Sequence, residues 1–63
     1  MTQEKLDKLQ EYINYLGRQA DTFSKIGREE IRARYIAEID GIRRVLEMIG
    51  YTVSHRQIVK EGE

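Results

Sequence analysis

Sixty-three residues make one small domain, and a chain of this size buries only about 60% of its unfolded surface. Eleven acids balance eleven bases, which argues against a protein held to nucleic acid or to a membrane by bulk charge. There is no Cys, which excludes a disulfide, a thiolate zinc site and a cysteine nucleophile, and one His cannot build a His-rich metal site. Regular helix packing and self-association remain as sources of stability.

The N-terminal stretch MTQEKLDKL is too charged for a secretory signal, and no apolar run approaches a membrane span. These features point to a cytoplasmic protein. Thr2 suits an N-cap, and Glu4 follows in the first turn, where the helix dipole favours an acid. Leu6, Leu9, Ile13, Leu16, Ala20 and Phe23 then repeat at alternating steps of 3 and 4, a heptad seam. This predicts a first helix over 3–24. Gly17 inside it costs about 1 kcal/mol relative to Ala. It is either tolerated on a solvent face or marks the close approach of a second helix.

The pattern breaks over TFSKIG, residues 22–27. Ser24 favours local hydrogen bonds, and Gly27 suits a C′ or N-cap position. A turn near 24–28 is the simplest reading; one long helix with a phase slip is the alternative. The clearest signal in the chain follows. Ile31, Tyr35, Ile39, Ile42, Leu46 and Ile49 paint one stripe on a second helix over 28–49. Two helices of matched length with a short connection predict an antiparallel αα-hairpin. Folding near residue 26 sets Leu6 by Leu46, Leu9 by Ile42, Ile13 by Ile39, Leu16 by Tyr35 and Ala20 by Ile31. Ile13, Ile39 and Leu46 are the expected buried centre. Gly50 is the expected C′ glycine of a Schellman motif, with Tyr51 against Leu46.

After Gly50 the period changes. Tyr51, Val53 and His55 alternate with polar residues, and Ile58 and Val59 follow. Residues 51–59 read as a strand or an extended arm within a 51–63 tail that frays from residue 60. The arm must lie along the hairpin, pair with a sister subunit or wait for a target. The fold class is therefore all-α: a helical hairpin that oligomerises into a bundle, with a short C-terminal arm.

Chemistry is sparse. There is no phosphate loop, zinc-protease motif or calcium loop, and the acids sit among Arg and Lys on exposed helix faces. No enzyme activity, cofactor or metal is expected. Glu30 precedes Arg34 by four residues, Asp40 precedes Arg44 and Arg43 precedes Glu47, which reads as ordinary surface pairing. Arg32 and Arg43 share one edge of the stripe and could rim an interface. Tyr12 borders the seam and Tyr15 points further out, as an aromatic contact for a partner or a base. Ile36 is out of phase with its stripe and could join Tyr15 and Met48 across an oligomer. With Tyr51, Val53, His55 and Ile58 of the arm, these are the candidate partner-binding residues.

The length and hairpin plan resemble the Rop-type plasmid regulators, whose dimeric four-helix bundles bind RNA. No motif is shared, and no functional residue is carried across. Short hairpins of this kind are also common among small proteins of phages and other mobile elements. The expected function is a non-enzymatic, homo-oligomeric interaction module: a small regulator, adaptor or inhibitor of another protein. The alternative is a nucleic-acid or nucleotide binder that uses Arg and Tyr side chains at an oligomer surface.

Overall fold

A computed structural model of the chain describes residues 1–62. It has two helices, α1 (Gln3–Lys25) and α2 (Glu29–Glu47), then two short strands, β1 (Tyr51–Ser54) and β2 (Gln57–Lys60). The helices pack against each other as a hairpin. The strands form an antiparallel pair with Tyr51 opposite Lys60, Thr52 opposite Val59, Val53 opposite Ile58 and Ser54 opposite Gln57. The helical hairpin is as expected. The arm is not one extended segment; it folds on itself as a β-hairpin and lies against its own helices.

Local chemistry explains most of the boundaries, although α2 starts after Arg28 without a side-chain cap. The Thr2 hydroxyl accepts a 3.3 Å bond from the Lys5 N–H and caps α1. At the other end Gly27 takes φ +75°, Arg28 N–H donates to the Phe23 carbonyl at 2.8 Å and Gly27 N–H to the Ser24 carbonyl at 3.2 Å. That is a Schellman motif with Gly27 as C′. The motif expected at Gly50 does not form. There α2 tightens instead, with Met48 and Ile49 N–H groups bonded three residues back to Val45 and Leu46. Gly50, at φ +91°, turns the chain, and its carbonyl accepts from Glu61 N–H at 2.9 Å as the first rung of the β ladder. Residues 60 and 61 are therefore paired rather than frayed, and Glu63 lies outside the described residues.

The core is thin. Ile13, Leu16, Ala20 and Leu46 are its fully buried apolar side chains. Ile39 was expected among them and is only half-buried, as are Ile31, Tyr35 and Ile42. Two helices and a two-stranded flap make too few layers to enclose both stripes. Tyr35 stacks on Phe23 with ring centroids 5.8 Å apart.

The β turn is unusual. A two-residue connection matching the twist of its strands needs φ > 0 at both central residues, a role usually given to Asn-Gly. Here His55 and Arg56 fill it at φ 51° and 65°. Asn adopts that region more readily than His. Replacing His55 with Asn should therefore stabilise the protein by about 0.5–1 kcal/mol, a few degrees in melting temperature. A thermal melt by circular dichroism checks this, and a lower melting temperature would show that the His55 side chain has a stabilising contact of its own.

Candidate functional site

The β-hairpin is bound to one flank of α1 by two side chains. Gln10 lies along the outer edge of β2 as a third strand would. Its amide oxygen accepts from Ile58 N–H at 2.8 Å, and its amide nitrogen donates to the Arg56 carbonyl at 2.8 Å. The same nitrogen gives its other proton to Asn14 Oδ1 at 3.0 Å. Arg56 runs on along α1 over Gly17 and grips both carboxylate oxygens of Asp21, at 2.9 and 3.0 Å. A Cβ on Gly17 would stand 2.9 Å from Arg56 Cδ, so Gly17 does mark a close approach, but of the arm rather than of a helix. Arg56 holds the Asp21 carboxyl below its ordinary range, mainly through that hydrogen bond.

On α2 the flap is tied through Glu47. Thr52 Oγ1 donates to Glu47 at 2.9 Å, and Arg43 bridges Glu47 and Asp40 at 2.8 and 2.6 Å. The Thr52 bond, then Arg43, hold the Glu47 carboxyl low; Arg43 does the same first for Asp40. Arg44 also reaches Asp40 at 3.0 Å, and Arg32 pairs with Glu29 at 3.6 Å. Two of the three expected helix-surface pairs thus form. The third does not: no ion pair joins Glu30 to Arg34.

The candidate partner-binding residues fall into separate groups. Tyr51, Val53 and Ile58 are half-buried and form the inner face of the flap, so the fold itself uses them. His55 is exposed at the turn. Arg32, Ile36 and Arg43 share the flank of α2 on the flap side, where Arg43 is neutralised by its two acids and Ile36 stays exposed. Tyr12 and Tyr15 stack at 6.3 Å on the opposite side of α1. Tyr12 donates its hydroxyl to Glu38 Oε2 at 3.2 Å, and that carboxylate keeps the phenol protonated above its ordinary pKa. Tyr15, Ile36 and Met48 are all exposed.

The side away from the flap holds what periodicity alone did not show. Met1, Leu9, Gly41, Ile42, Val45 and the edge of Leu46 line an open trough of about 410 Å³, with Glu38 at its rim. Ile31, Arg34, Tyr35 and Glu38 line a second depression that continues it toward the helix turn. Val45 is 62% exposed, and Met48 beyond it is 83% exposed. A Cβ on Gly41 would meet nothing within 4 Å, so nothing in its own chain requires a glycine there.

Among the described residues no group of three or more His, Cys, Asp or Glu side chains could hold a metal, and no buried side-chain polar atom lacks a partner. No described helix is long and apolar enough to cross a membrane. Comparison with protein-family models, with curated proteins and with solved structures finds no match to this chain.

Proposed function

We propose that this protein is a non-enzymatic interaction module that self-associates through its open helical face and acts as a small regulator, adaptor or inhibitor of another protein. The observation that carries the reading is the apolar trough between α1 and α2. Four fully buried apolar side chains are a small core for this chain, while half-buried Leu9 and Ile42 and exposed Val45 line one open strip. Such a strip, rimmed by polar groups, is the mark of a protein interface. Covering it with another helical layer converts two helices into a bundle with a closed interior.

The surface left for a target is the flap. Its β2 edge is closed by Gln10, but among the described residues no partner outside the sheet bonds the N–H and C=O groups of Tyr51 and Val53 on β1. Strand β1 reads YTVS, without the charge, Pro or bulge that usually guards an edge. An extended segment of a target can add there. The arginines give less support to nucleic-acid binding, because Arg32, Arg43, Arg44 and Arg56 are each paired with an acid.

Sedimentation equilibrium tests the self-association directly. A dimer or larger species is expected at micromolar concentration. A stable 7.5 kDa species independent of concentration would overturn the reading.

A further inference from the structure

Two residues of α2 are not accounted for within the chain. Gly41 has an empty space where its side chain would be. Arg34 is exposed and makes no ion pair among the described residues, although Glu30 and Glu38 lie one turn away on either side. Glu38 accepts from Tyr12 through one carboxylate oxygen, and among the described residues no partner bonds the other. Arg34 and Glu38 line the same depression, continuous with the trough at Gly41.

An opposite pair of charges one turn apart on a helix is self-complementary under a two-fold axis. Set a second copy of α2 antiparallel to the first, with the axis at the level midway between the two residues. Arg34 then faces the second copy's Glu38, and Glu38 faces its Arg34. The same register sets Ile31 opposite Gly41 of the second copy, so a large side chain meets a vacant position, twice by symmetry. It also carries Val45 over the helix turn of the other copy, near Ile26, which is 63% exposed. A slip of one turn that centres the axis on Glu38 would set two carboxylates against each other. The molecule measures 37 × 19 × 16 Å, so its broad face is on the scale of the ~800 Å² that each partner buries in a specific interface.

We infer that the occupant of the open face is a second copy of this chain, seated as an antiparallel α2–α2 seam with reciprocal Arg34–Glu38 pairs and Ile31 over Gly41. This inference rests on the open-face reading and adds its register. The test is sedimentation equilibrium on the full chain and on four variants, with helix content followed by circular dichroism. Arg34→Glu and Glu38→Arg should each weaken the dimer at least about tenfold, because each opposes like charges. The double variant R34E/E38R should restore it, because the swapped charges again face each other. Val45→Lys should abolish any association through this face. If Val45→Lys gives a folded monomer while the charge variants associate as the wild type does, the open face stands and this register is overturned. If the double variant stays as weak as the singles, the register is overturned as well. A monomeric wild type overturns both readings.

Discussion

Replacing Leu46 with Ala should cost roughly 2–5 kcal/mol, by lost transfer energy and an unfilled cavity. Leu46 is the fully buried residue of α2, at 1% exposure, and its carbonyl also accepts the Ile49 N–H that turns the chain toward β1. A small domain has only about 5–15 kcal/mol of stability in total, so this one change should leave the protein close to unfolded at ordinary temperature. Ile39→Ala should cost clearly less, because Ile39 is half-buried and its neighbours can close over the gap. Arg18→Ala, on an exposed face of α1, should cost under about 0.5 kcal/mol. Urea denaturation of the three variants orders them. An Ile39 loss equal to that of Leu46 would mean that the wild type is already covered on α2 by another layer.

Replacing Gln10 with Ala should cost about 1–3 kcal/mol, more than a half-exposed glutamine usually carries. The truncation strands two backbone groups at once, the Ile58 N–H and the Arg56 carbonyl, on the side of β2 that faces α1. Gln10→Glu separates the two contributions. It keeps an acceptor for Ile58 N–H but turns a carboxylate oxygen on the Arg56 carbonyl and on Asn14 Oδ1, so it should recover little. In amide exchange by NMR, both variants should lose protection across residues 51–60 while helical amides near Ile13 keep theirs. Uniform loss through the whole chain would show that the flap is not a separable unit.

The helical part of this fold was legible because burial imposes a period on sequence. The 3-4 seam from Leu6 to Phe23 and the phase break before Ile31 mark two helices, and Gly27 marks the turn between them. Thr2 as cap, and the Arg43–Glu47 and Asp40–Arg44 pairs, follow from local spacing alone. The flap was only half legible. Its residues announce extended structure, but a two-residue turn made of His55 and Arg56 carries none of the Asn-Gly chemistry that signals a hairpin. Gln10 went unnoticed because a polar residue beside a seam looks solvated. Its one signal is position: it shares a helix flank with Gly17 and Asp21, seven and eleven residues on, the flank Arg56 runs along. An uncovered face was expected from a lone hairpin, but not where it lies, because the stripe on α2 looks the same whether one layer or two will cover it. Gly41 carries the same signal as Gly17, a glycine inside a helix, but spacing does not say what such a glycine faces.

The flap joins the helices through contacts that span most of the chain, with Gln10 and Arg56 separated by 46 residues and Gln10 and Ile58 by 48. The Arg56–Asp21 pair spans 35 residues and the Thr52–Glu47 bond only five; the remaining packing is helix against the next helix and strand against the next strand. The two hairpins can therefore each close a short loop early in folding, at small entropic cost, while the Gln10 clasp must close a long one. A lone two-stranded hairpin is not stable in water, so the flap persists only after α1 exists to receive it. Loop length thus favours closing the helical hairpin before the clasp, and opening in the reverse order. Release of the clasp, with the Thr52–Glu47 and Arg56–Asp21 ties, frees the last twelve or so residues as a tether while the helices remain, and it opens the hollow that Leu6 shares with Tyr51 and Ile58.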